Sequence, residues 1–255
     1  MFVEINVGQD RTGVPPTSLD QIIRMAETIS SHPNLTYRGI HCYQGLLQHT
    51  RSTAARTSQI SSSVAHARTV RDALTAGGFP PQIVTGAGTG SFYEEAGHHV
   101  HTEVQPGSYV LYDTDYRDNE QDGNAPSFDH ALFIHSAIVS TAVDEKQVVV
   151  DAGSKAVDLV SGVPSFTDQS VNNGLNGMKD GRVEYTSGGD EHGILTLSGD
   201  LSQTMIEGSD HGTVRMLPRH VDPQCNLHDR YLVVEDVEEG IVTEVWNVQG
   251  RGPGY

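Results

Sequence analysis

The first 115 residues alternate strand-like and helix-like stretches, and this rhythm constrains the fold more than any other feature of the chain. Residues 2–7 (FVEINV) read as a strand. Ser18 opens a helix that runs to about residue 31, with Gln21 three positions on as a capping-box partner. Residues 37–43 form a second strand, and residues 53–76 a long helix stopped by Gly77 and Gly78. Residues 82–85 make a third strand, 91–97 a short helix and 103–105 a further strand. Strands and helices in this order build a parallel sheet with right-handed crossovers. Roughly four βα units fit this length, whereas a closed eight-unit barrel takes about 250 residues. The choices are a small open α/β domain, whose sheet edges need covering, or part of a barrel.

Beyond residue 115 the character changes. Residues 131–143, 148–151, 193–197, 213–217, 231–235 and 241–248 are rich in Val, Ile and Thr and punctuated by Gly, Asp and Asn. That is the pattern of a β-rich domain. The polar stretch DTDYRDNEQDGNAP (113–126) reads as the boundary loop. The expected division is 1–115, α/β, and 116–255, mostly β. With 36% hydrophobic residues, 255 positions can bury a sizeable core.

Charge narrows the partners. The formal net charge of −17 repels phosphate backbones and anionic lipid, so nucleic acid and membrane are not expected. No apolar run is long enough for a membrane span, and the N-terminus shows no leader pattern. Three lysines stand against thirteen arginines, which suits either a high-salt habitat or a GC-rich genome. Cys42 and Cys225 form no C-x-x-C site or disulfide framework, which points to a reducing cytoplasm.

Several weak motifs carry possible chemistry. TGAGTGSF (85–92) follows a strand and precedes a helix, where glycines let backbone N–H groups approach a phosphate; it is otherwise a tight βα turn. Arg11 lies just past the first strand and is either an anion ligand or an exposed loop arginine. Tyr43, Gln48 and His49 follow the second strand, where α/β folds carry catalytic groups. In LPRHVDP, His220 and Asp222 are two apart. In extended backbone they face one side, with Cα atoms about 6–7 Å apart. A His/carboxylate pair suits Mn, Zn or Co, although H-x-D also occurs by chance. GHHVH (97–101) reads as a solvated loop, and Lys155 as a solvated or ion-paired lysine.

These stretches stand in a telling order. VEINVGQDRTGV, GIHCYQGLLQH, VTGAGTGSF, EVQPGSYVLYD, VVDAGSKA, DEHG, LPRHVDPQCNL and the terminal QGRG together resemble the D-threonine aldolase and D-serine dehydratase family. The resemblance implies a partial (β/α) barrel of alanine-racemase type followed by a β-rich domain. It implies pyridoxal 5′-phosphate and a divalent metal (Mn, or Zn, Co or Mg), a small D-amino-acid substrate and a homodimer. By the same resemblance Arg11 contacts the cofactor's phenolic side and Tyr43 lies near its ring. Thr85, Gly88, Thr89 and Gly90 cradle its phosphate, His49 is the catalytic base, and His220 and Asp222 bind the metal. Asp222, where dehydratases carry Cys, favours an aldolase that cleaves D-3-hydroxy amino acids to glycine and an aldehyde. The alternatives are a D-serine or 3-hydroxyaspartate dehydratase, or a non-catalytic remnant. The family's Schiff-base lysine sits near the N-terminus in an R-P-H-x-K-T-H-K-like stretch. No such stretch occurs here, so the resemblance implies an incomplete barrel, or a lysine from another polypeptide, or no catalysis.

Overall fold

The structure is a computed structural model that describes residues 1–121, 123–142, 146–166, 182–198, 212–236 and 239–252. The chain separates into two compact units, Met1–Tyr109 with Tyr116–Phe128, and Val110–Asp115 with Asp129–Tyr255. No described helix is long and apolar enough to cross a membrane.

The first unit is built on a parallel sheet in the order β1 (Phe2–Glu4), β2 (Gly39–Cys42), β3 (Ile83–Gly86), β4 (Glu103–Val104). Helix α1 (Leu19–Ser31) connects β1 to β2, and α2 (Thr53–Ala76) connects β2 to β3. These are the crossovers of a partial (β/α) barrel. In α1 the residues Ile22, Ala26 and Ile29 recur at helical spacing and are buried. They meet Val3, Ile40 and Val84 of the strands, together with Ile60, Val64, Ala67, Val70 and Leu74 of α2, in one core. The α2 helix stops where Gly77 caps it and Gly78 turns left-handed at φ 87. The capping box expected at α1 does not form, because Ser18 makes no side-chain cap bond. Its backbone N–H bonds Pro15 O in the preceding turn.

The second unit is mostly β. A five-stranded sheet runs β7 (Val183–Ser187), β8 (Gly193–Leu197), β6 (Gln147–Val150), β5 (Ile134–Ala142), β9 (Thr213–Met216), all neighbours antiparallel. Val148, Val150, Phe166, Tyr185, Leu195, Val214 and Met216 fill its core. A separate antiparallel ribbon pairs β10 (Arg230–Val234) with β11 (Val242–Asn247). Strand β7, a partner for β8, is an element that sequence pattern did not supply. The chain also makes α3 (Phe92–Gly97), the single turn α4 (Thr114–Arg117) and the short helix α5 (Val221–Asn226).

Candidate functional site

Parallel register places Glu4 beside His41 and His41 beside Thr85. Side chains alternate along a strand, so these three share the face opposite Val3, Ile40 and Val84. A hydrogen-bonded polar row crosses that face. Glu4 accepts from the Thr12 hydroxyl at 2.6 Å, and its Oε1 lies 3.5 Å from His41 Nδ1. His41 Nε2 lies 3.4 Å from Gln105 Oε1, and Gln105 Nε2 donates to Thr85 Oγ1 at 2.8 Å. Fully covered parallel strands are apolar on both faces, so polar residues at these positions mark a face with a task. Strand alternation in FVEI and GIHC is the one sequence signal for Glu4 and His41, to which the motifs above assign no role.

The glycine-rich loop after β3 is held from below. Gly90 N–H donates to Gln48 Oε1 at 2.6 Å, and Gln48 Nε2 donates to Ser91 Oγ at 2.7 Å. The Ser91 hydroxyl in turn donates to Glu95 Oε1 at 2.5 Å, and Gly88 N–H reaches Ser91 Oγ at 3.3 Å. Gln48, Ser91 and Glu95 are all buried. A Cβ on Gly88 would meet the Gln48 amide at 2.8 Å, so that glycine permits the close approach. Between the glycines, Ala87 takes φ 62, a left-handed conformation unusual for alanine. Thr89 Oγ1 is buried without a hydrogen-bond partner, an orphan donor that a phosphate oxygen would satisfy. The loop therefore fits an anion chiefly through Thr89, since the Gly90 N–H is already engaged.

Burial pushes the Glu95 carboxyl up to about 7, against the pull of the Ser91 hydrogen bond. His101 lies beside it, with Nε2 3.8 Å from Glu95 Oε2, and burial lowers its pKa. In GHHVH, expected to be a solvated loop, Gly97 and His99 are exposed, whereas Val100 is buried and the His101 side chain is 1% exposed. Arg11 is exposed, with its guanidinium 5.6 Å from the Tyr43 ring centre in a cation–π contact. Burial raises the Tyr43 pKa, and the Arg11 charge opposes that rise. His49 ends the 3₁₀ turn Gly45–His49, is exposed, and has its ring 6.2 Å from that of Tyr116. Arg11, Tyr43, Thr85, Gly88, Thr89 and Gly90 thus all follow or end strands of one sheet.

In the second unit, His220 and Asp222 do not sit on one extended strand. His220 is extended (φ −134, ψ 124) but caps α5, and Asp222 lies in the first helical turn. Pro218 and Pro223 bracket this corner, and proline at the start of a helix favours the turn over a strand. The two groups are still close enough for the Asp222 charge to raise the His220 pKa. The largest cause of that rise is Asp113, whose Oδ2 lies 2.8 Å from His220 Nδ1. Asp113 is fully buried, and its Oδ1 accepts from Val221 N–H at 2.5 Å. Among the described residues no group of three or more His, Cys, Asp or Glu could hold an ion. His220 and Asp222 are two donors of the types that bind divalent ions, at the start of one short helix. Lys155 pairs with Glu191 on an exposed surface, as the sequence suggested.

Two family models match the chain. Residues 1–115 match the alanine racemase, N-terminal domain family, and residues 131–234 match a serine dehydratase domain family. A 3-hydroxy-D-aspartate aldolase of Paracoccus denitrificans (strain Pd 1222) is 36% identical over 259 residues, covering 100% of this chain and 61% of that protein. A D-threonine aldolase of Arthrobacter sp is 32% identical over 253 residues, covering 99% of this chain and 61% of that protein. The crystal structure of D-threonine aldolase from Filomicrobium marinum superposes with a TM-score of 0.84 at 33% identity, covering 98% of this chain and 62% of that one. The chain therefore spans about 61% of the length of the curated relatives it matches.

Proposed function

We propose, because the chain belongs to the D-threonine aldolase and D-serine dehydratase family of alanine-racemase fold, that it serves as a lyase on D-3-hydroxy amino acids, releasing glycine and an aldehyde. The observation that carries this reading is the set of polar strand ends in the first unit, present together with the buttressed H-x-D corner in the second. When bound, pyridoxal 5′-phosphate supplies an electron sink for Cα–Cβ cleavage, and a divalent ion supplies charge that favours loss of a hydroxyl proton. The loop of Thr85, Gly88, Thr89 and Gly90 would lie against the cofactor's phosphate, with the Thr89 hydroxyl as its donor and the glycines leaving room for the approach. Arg11 would meet the phenolic oxygen, and Tyr43 would lie beside the ring. His49 would take the proton from the substrate hydroxyl. His220 and Asp222 would hold the ion, of the Mn, Zn, Co or Mg class. Asp222 supports cleavage over dehydration. The reading extends to a homodimer in the cytoplasm, and sedimentation of the purified chain checks the dimer.

Two measurements test it. Mn(II) titration of the purified chain should give one site, and His220→Ala and Asp222→Ala should each abolish it. Unchanged metal content in both variants overturns the metal assignment. Aldehyde release from D-threonine should require both additions and should vanish in His49→Ala.

A further inference from the structure

We propose that Asp113 is a positioning residue that fixes the ring orientation and tautomer of His220 for a divalent ion. The inference rests on the reading of His220 as a metal ligand, and it concerns a residue that sequence motifs left in a boundary loop. Asp113 has no solvent exposure, yet both its oxygens are spent on the metal corner. Oδ2 meets His220 Nδ1 at 2.8 Å, and Oδ1 accepts the Val221 N–H at 2.5 Å. The flanking residues lock the same two segments together. Thr114 Oγ1 donates to Pro218 O at 3.2 Å, and Asp115 N–H to Arg219 O at 3.2 Å. Arg219 Nη2 closes on Asp115 Oδ1 at 2.6 Å.

The consequence is chemical. A carboxylate only accepts hydrogen bonds, so a neutral imidazole facing it must carry its proton on Nδ1. The lone pair then lies on Nε2, the nitrogen that coordinates a metal, and the contact raises its basicity. The Oδ1 bond to Val221 holds the backbone at the start of α5, and the Oδ2 contact holds the ring of His220.

The test uses Mn(II) alone on the purified full chain. In Asp113→Asn the amide oxygen can still receive Val221 N–H, while the amide NH₂ faces Nδ1 and drives the proton to Nε2. Mn(II) affinity should fall about 10- to 100-fold, with the unfolding midpoint little changed. Affinity within twofold of the parent chain, while His220→Ala loses the ion, overturns the Asp113 role and leaves the metal reading standing. If His220→Ala also binds unchanged, the metal reading fails and this inference with it. A second readout needs no variant that folds. Long-range ¹H–¹⁵N correlation spectra of the metal-free chain at alkaline pH should show His220 as the Nδ1–H tautomer. The Nε2–H tautomer overturns the proposal.

Discussion

Gly39→Ala should leave the first unit unfolded or molten, with loss of near-ultraviolet circular dichroism and a shift of at least about 4 kcal/mol in urea unfolding of whatever folded fraction remains. Gly39 opens β2 and is paired with Ile83 of β3. A Cβ there would lie 1.8 Å from Ile83 O and 2.8 Å from Ile83 C, both backbone atoms of the neighbouring strand. No rotamer change relieves such a clash, because the obstruction is the sheet itself. The backbone at Gly39 also takes φ 146, a region that side-chain-bearing residues rarely enter. Strand separation would have to grow, and the Ile83 N–H to Arg38 O bond at 2.9 Å would go with it. The row Glu4–His41–Thr85 depends on that register, so the candidate cofactor face should be lost too. A variant whose near-ultraviolet spectrum and unfolding midpoint match the parent chain refutes the argument.

How much was legible in the sequence depended on the range of the interaction. Helix α2 has the bounds that pattern gave it, because its stop is local, two glycines in succession. Strand β8 likewise coincides with 193–197. By contrast β7 (VEYTS) carries only two buried side chains, Val183 and Tyr185, too few for a period-2 signal. Its status comes from pairing with β8. The H-x-D stretch shows the same split. H-x-D was visible, but its geometry was set by Pro223 and the helical turn, so an extended reading failed. Asp113 was invisible as a partner because 107 positions separate it from His220. A histidine-rich loop is usually wet, but the His101 ring lies against Gly86 and Glu95, contacts that only the fold supplies. Gln48 stands in a strand-end motif of the sequence, whereas its use as a strut between Gly90 and Ser91 follows from the loop's fold.

That buried strut ends on a group whose protonation should control stability. Glu95 has a folded-state pKa of about 7 against an ordinary value of 4.5, raised chiefly by burial. A carboxyl raised in the folded state binds its proton more tightly there than in the unfolded chain. Its contribution is therefore complete below pH 4.5 and is lost as pH climbs through about 7. The gap corresponds to about 3 kcal/mol at alkaline pH. Glu95→Gln removes the titration while keeping an oxygen for the Ser91 hydroxyl, now at 2.5 Å. The variant should gain about 1–3 kcal/mol over the parent chain at pH 8 relative to the same difference at pH 5. Urea unfolding at the two pH values measures this directly. Because Ser91 also accepts from Gln48, which receives the Gly90 N–H, the loop should exchange its amides more slowly in the variant at pH 8. A stability difference independent of pH would mean that Glu95 titrates at its ordinary value despite its burial. The Ser91–Gln48–Gly90 chain would then act as a passive strut, with no protonation-dependent link to the loop.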